Sequence, residues 1–342
     1  MKDLPLGLNI HRSANFDRVT TGFNSRCAVN ISYELEADWV LLRTCNFRCT
    51  YCGIPPAELG GKLNVYATPS QWTEAFKATG ETWLLHITGG EPSVYPDFVE
   101  LCESLTRDHF LSLNTNFSHP CLDDFSTRID PERVHFINAA LHYDERLTRD
   151  SLDVFTDRAR RFAERGFNLL ISSVMTPAVS EVFDELQDQF EARGLSIIPK
   201  AMRGWHEGRL YPDSYTTAQR RLFREHLARA RQQYAPVLAR MGEAPSINMF
   251  TDERFLKRIP SYQGKLCAAG EKFVQIEPDG NVVRCNSGQS LGNILLRNLE
   301  MFSGPRPCDT TYCPYFCEKY TRPPFVQPSR LRSLPLIRRL VR

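Results

Sequence analysis

The spacing of apolar and polar positions changes several times along this 342-residue chain. Six short apolar runs read as strands: Trp39–Arg43, Trp83–Ile87, Phe110–Asn114, Val134–Leu141, Asn168–Met175 and Leu195–Lys200. Between them Pro69–Thr79, Tyr95–Arg107, Arg149–Arg165 and Ser180–Arg193 repeat apolar residues at helical spacing, while the third link, near Leu122–Phe125, is short. Strands alternating with helices predict a parallel sheet with helices on its outside, an α/β architecture. Ser214–Arg240 reads as one or two helices interrupted at Pro236. The pattern then switches to a β-hairpin over Phe273–Cys285, whose turn, Pro278-Asp279-Gly280, carries a glycine that tolerates positive φ. Residues 1–37 show no assignable period.

Composition narrows the class. With 42% hydrophobic and 24% charged residues the chain has the make-up of an ordinary globular protein. It has no apolar run of eighteen residues, and Met1–Gly7 is too polar for a secretory signal. Eleven cysteines without such a signal favour reduced thiols and metal binding in the cytoplasm over disulfides. A net charge of +2 carries no nucleic-acid footprint. The charge is uneven, because residues 321–342 hold six arginines and no acid, interleaved with Leu331, Leu334, Leu336, Ile337, Leu340 and Val341. Such a tail suits an anionic membrane surface, but Pro335 breaks any helix there, and the favoured expectation is a tail without membrane contact.

The densest chemistry is Cys45, Cys49 and Cys52, three thiols within eight residues at the end of the first apolar run. Three thiolates leave one iron of a [4Fe–4S] cubane, which normally takes four, open to another ligand. The alternative for the same residues is a zinc site, which wants a fourth ligand; the nearest downstream histidine in sequence is His86. Thr88-Gly89-Gly90-Glu91-Pro92 follows the second run at about forty residues' distance and on its own marks only a turn.

Cys-x3-Cys-x2-Cys after a first strand, with Tyr51 before the last cysteine and Gly89-Gly90-Glu91 downstream, resembles the signature of the radical S-adenosylmethionine (SAM) enzymes. The resemblance implies a partial (βα)6 TIM-like barrel over 38–240 and a [4Fe–4S] cluster whose open iron is chelated by SAM. It further implies reductive cleavage to a 5′-deoxyadenosyl radical, with the cofactor carrying the hard chemistry. It assigns Tyr51, Gly89, Gly90, Glu91, Asn114 and Asn116 to cofactor contacts, the glycines because bare backbone lets carbonyl oxygens approach the SAM ammonium. An electron donor such as flavodoxin or ferredoxin is implied as partner.

Five later cysteines, Cys267, Cys285, Cys308, Cys313 and Cys317, surround the hairpin. Cys267-x12-Gly280-x4-Cys285 resembles the opening of the SPASM or twitch extension, which implies an auxiliary-cluster domain over 241–320. The spacing afterwards, Cys308-x4-Cys313-x3-Cys317, falls short of two complete clusters, so one auxiliary [4Fe–4S] cluster is expected. Cys267, Cys285, Cys313 and Cys317 rank first as its ligands. Cys308 is either a further ligand or a spare thiol able to return a hydrogen atom. A structural zinc ribbon is the alternative for the whole set. Cys27, Cys102 and Cys121 fit neither group, and Cys102, among Phe98, Leu101 and Leu105, reads as core.

Substrate-facing groups are expected at strand ends. His142 and Lys200 are the preferred catalytic candidates, each following a strongly apolar run, with Asn114–Asn116, Asn138, Ser172 and Ser173 nearby. Lys200, Arg203, His206 and Arg209, followed by Tyr211 and Tyr215, join cations to aromatics in a way that suits a phosphorylated or carboxylated sugar or an acidic peptide. The expected function is therefore a radical SAM oxidoreductase or epimerase acting on a small, carbohydrate-like molecule. A maturase of a ribosomally made peptide is the alternative, and a non-catalytic iron–sulfur or zinc protein the reading from another class.

Overall fold

The computed structural model describes residues 31–242, 249–256, 261–311, 313 and 318–321. Cys27, Cys317 and the basic tail beyond Thr321 lie outside the described residues.

The six predicted strands form, as β1 (Leu35–Leu42), β2 (Trp83–Gly89), β3 (Phe110–Thr115), β4 (Val134–Ala140), β5 (Leu169–Val174) and β6 (Ile197–Lys200). They lie side by side in chain order, every pair parallel. This is the partial (βα)6 barrel that the βα alternation and the resemblance predict. The links carry α1 (Pro56–Leu59), α2 (Pro69–Lys77), α3 (Phe98–Leu105), α4 (Cys121–Arg128), α5 (Tyr143–Thr148), α6 (Leu152–Glu164) and α7 (Pro177–Glu191). Helix α2 starts at a Thr68–Gln71 capping box with Pro69 in its first turn, which satisfies backbone N–H groups the helix cannot.

Strand residues alternate between two faces. Trp39 turns outward and meets Trp72 and Phe76 of α2 at ring-centroid distances of 4.8 and 5.1 Å. Cys102 is buried in the same core, as its sequence neighbours predict. The other face is polar: Glu36, His86, Thr88, Ser112, Asn114, Asn138, Ser172 and Lys200 sit at alternating positions on it. Beyond β6, β7 (Gly204–His206) and β8 (Arg209–Tyr211) form a separate two-stranded hairpin. Helices α8 (Thr217–Gln233) and α9 (Ala235–Met241) follow, the break falling at Tyr234 because Pro236 takes the first turn of the second helix.

The C-terminal part opens with β9 (Leu266–Cys267). The predicted hairpin is β10 (Phe273–Ile276) and β11 (Asn281–Val283), followed by β12 (Ser290–Asn293) and β13 (Arg306–Pro307). Strand β10 pairs parallel to β1, Glu36 opposite Phe273, so the hairpin extends the barrel sheet at its first edge to nine strands. Strand β13 returns antiparallel to β9, setting Arg306 opposite Cys267. A division of the chain near residue 240 therefore cuts across one continuous sheet, and it stands as a proposal.

Candidate functional site

The cysteine loop begins where β1 ends. Gly90 N–H donates to the Leu42 carbonyl at 2.8 Å and Glu91 N–H to the Thr44 carbonyl at 2.9 Å, tying the Gly-Gly-Glu segment to the start of that loop. The fit excludes side chains: a Cβ on Gly89 would stand 2.0 Å from the Leu42 oxygen, and one on Gly90 2.1 Å from the Thr44 oxygen. Gly89 also has φ +142°, a region L side chains rarely adopt. These glycines thus serve backbone-on-backbone packing beneath the thiols.

Helix α5 braces the loop from the other side. Glu145 accepts from Arg48 N–H at 3.0 Å, and Arg149 donates to the Asn46 carbonyl at 3.0 Å. Phe47 lies under the guanidinium groups of Arg146 and Arg149, at 5.2 and 4.8 Å. Arg146 is fully buried, donates to the carbonyls of Asn116 and Leu141, and thereby joins the ends of β3 and β4.

The predicted site residues fall into three groups. Cys45, Cys49 and Cys52 share the loop, and each of the first two raises the other's neighbourhood cost of ionising. Burial, first of all, pushes the Cys45 thiol up and the Cys49 thiol up to about 12, so bound positive metal is what would hold these sulfurs as thiolates. His142 stands against them: its Nδ1 is 3.3 Å from the Cys49 sulfur and 2.8 Å from the Tyr51 hydroxyl. Burial, and then Arg146, lower its pKa to about 4, so the ring is neutral at pH 7. His86, by contrast, is engaged on the barrel floor by Glu36 at 2.6 Å and by Ser112. Among the described residues no three His, Cys, Asp or Glu side chains close on a single metal ion.

Glu91 is a strut. Its carboxylate is fully buried and accepts from Ser93, from Thr115 Oγ1 at 2.6 Å and from Asn116 N–H at 2.6 Å, so it fixes the end of β3. Burial raises its pKa against those hydrogen bonds. Asn116 in turn donates to Asn46 at 2.7 Å, beside Cys45. Phe117 (φ 60°) and His142 (φ 47°), just past β3 and β4, are both left-handed, a strained arrangement held by the surrounding bonds.

A ladder of uncharged polar groups crosses the inner face. Asn114 donates to Thr88 Oγ1 at 3.1 Å, Asn138 to Asn114 Oδ1 at 2.6 Å, and Ser172 to Asn138 Oδ1 at 2.7 Å. At its far end Lys200 bonds Asp252 at 2.7 Å, and Arg203 bonds the same carboxylate at 3.0 Å while covering Phe255 at 3.5 Å. Burial lowers the Lys200 pKa; Asp252, though buried, is held below the usual carboxylate range by the two cations. Asp252 was not legible as a site residue, because only long-range folding brings it to β6.

In the C-terminal part Cys267, Cys285 and Cys308 lie in one small core with Phe273 and Tyr320, near enough to oppose one another's ionisation. Arg284 sits beside Cys267 and Cys285 and works in the opposite direction. Tyr320 donates to Glu36 at 2.6 Å, which ties this part to the barrel floor.

Residues 39–188 match the family model described as the radical SAM superfamily. This segment is a radical SAM domain. A GTP 3′,8-cyclase from Haemophilus influenzae is 36% identical over 66 residues, which is 18% of this chain and 19% of that protein. A PqqA peptide cyclase from Ruegeria pomeroyi is 25% identical over 278 residues, 74% of this chain and 68% of that one. Among solved structures, Streptococcus suis SuiB bound to precursor peptide SuiA is 18% identical with a TM-score of 0.51, over 79% of this chain and 64% of that chain. The radical SAM protein anSMEcpe with bound AdoMet is 16% identical with a TM-score of 0.52, over 77% and 76%. The two structures share the fold. A [4Fe–4S] cluster and SAM are the cofactors of the family.

Proposed function

We propose that the chain is a radical SAM enzyme abstracting a hydrogen atom from a small, polyhydroxylated substrate, for oxidation or epimerisation. The carrying observation is the neutral ladder Thr88–Asn114–Asn138–Ser172 on the barrel's inner face, which offers paired amide and hydroxyl groups of the kind that hold sugar hydroxyls. Cys45, Cys49 and Cys52 would hold the cluster, and three thiols beside a glycine cradle fit a cubane with an open iron. When bound, the cluster and SAM supply the abstracting radical. Gly89 and Gly90 present backbone to the SAM ammonium, and Tyr51 and Asn116 line the same loop. His142, neutral and tied to Tyr51, orients the loop beside Cys49. Lys200 and Arg203 leave one positive charge beyond Asp252 for an anionic substrate group. The grouping of Cys308 with Cys267 and Cys285 supports a ligand role for it in one auxiliary cluster, in preference to a hydrogen-donor role.

A second reading, oxidation or crosslinking of a ribosomally made peptide, draws on the PqqA peptide cyclase relative. The test is 5′-deoxyadenosine formation by anaerobically reconstituted, reduced protein, with nucleotide sugars in one arm and short peptides in the other. Stimulation by saccharides alone is expected; stimulation by peptides alone transfers the function to the second reading. A folded zinc protein that leaves SAM intact would end both.

A further inference from the structure

The β7–β8 hairpin carries an exposed apolar pair. Trp205 and Leu210 are register partners, 73% and 41% exposed, whereas Trp39, Trp72 and Trp83 are fully buried. An indole left in water costs free energy unless a ligand covers it, and tryptophan is enriched where binding energy concentrates. The hairpin is held firmly at its base: Tyr215 donates to the Met175 carbonyl at 2.6 Å, accepts from Met202 N–H at 2.8 Å, and stacks edge-on with Tyr211 at 5.0 Å. It leans toward the cysteine loop, since His206 lies close enough to Asp144 of α5 to favour that carboxylate's charge. Asp144 is two residues from His142. The hairpin therefore stands on the rim above the site.

The charges beside the indole are cationic on balance. Lys200 and Arg203 share the single carboxylate of Asp252, and Arg209 is exposed with no carboxylate on it among the described residues. Glu207 in the turn and Asp213 after the hairpin are the nearby acids in sequence. A flat π-face next to arginines is the pairing that takes a nucleobase and its phosphates: stacking supplies sequence-tolerant affinity and guanidinium groups grip phosphate oxygens.

We propose that Gly204–Tyr211 clamps the nucleoside diphosphate of a nucleotide-linked sugar, Trp205 stacking on the base and Arg209 and Arg203 taking the diphosphate. The sugar is thereby presented to the ladder on the barrel's inner face. This deepens, and rests on, the small-molecule reading above. The test is equilibrium dialysis of the reconstituted full chain against ADP, GDP and UDP, with acrylamide quenching of tryptophan emission as the local readout, because Trp205 is the exposed indole among four. Saturable binding that shields Trp205 from acrylamide is expected. Stacking worth about 1–3 kcal/mol makes Trp205→Ala weaken binding at least about fivefold, with Trp205→Phe recovering part of it. Arg209→Gln should weaken the diphosphates but not the free nucleosides. Absence of binding, or unchanged affinity in Trp205→Ala, overturns the clamp. If 5′-deoxyadenosine formation still responds to saccharides, the clamp alone has failed; if it responds to peptides alone, the reading beneath it has failed too.

Discussion

Gly90 illustrates how a motif position can have a second, purely steric reason. Because a Cβ there would stand 2.1 Å from the Thr44 oxygen, Gly90→Ala must shift the cysteine loop. We expect a loss of about 1–3 kcal/mol in urea unfolding together with reduced iron uptake; unchanged values for both would remove the packing argument. His135 provides a pH handle. It is buried on the barrel floor beside His86, Glu36 and Lys319, its Nδ1 has no partner among the described residues, and burial lowers its pKa to about 4. Between that value and about 6.5 the unfolded chain binds more protons than the folded one, so stability falls as pH drops through this window. The slope is about 1.4 kcal/mol per pH unit from this group. Unfolding midpoints at pH 7 and pH 5 should converge in His135→Gln, and an equal acid sensitivity in variant and wild type would exclude this histidine as the cause. At this scale the cysteine spacing was readable in the sequence and the partners were not. His142 touches Cys49 only because β4 ends in a left-handed residue, and Asp252 reaches Lys200 from a segment with no periodic signal.

Elements with a clear period were legible to within a few residues, β2 and β3 from their first residue and α2 from its proline. Helices α1 and α5 were not, since four and six residues are too few for a helical period to emerge. Helix α5 forms where side-chain contacts hold it: Glu145, Arg146 and Arg149 all engage the cysteine loop or the strand ends. Arg146→Gln would leave the Asn116 and Leu141 carbonyls without their buried donor, and a cost of about 1–3 kcal/mol is expected. The loss should be visible as a lower thermal midpoint of the metal-free protein; a midpoint equal to wild type would make the brace dispensable.

For the whole molecule, the six-stranded parallel core follows from the βα alternation, whereas the attachment of the hairpin does not, because sequence patterns carry no record of which distant strand a segment will join. The proposed two-cluster composition has a direct count: about eight irons per reconstituted chain, falling to about four in the double variant Cys267→Ala, Cys285→Ala with SAM cleavage retained. About four in the wild type would withdraw the auxiliary cluster.

The parallel pairing of β1 with β10 also has a cost during synthesis. Glu36 and Phe273 meet across most of the chain, so the contact order of this sheet is high and its last pairing is slow. Until the hairpin emerges from the ribosome, the strand leading into the cysteine loop presents a bare row of backbone donors and acceptors to other chains. Fragments ending before β10 should therefore aggregate, and early expression should depend on chaperones.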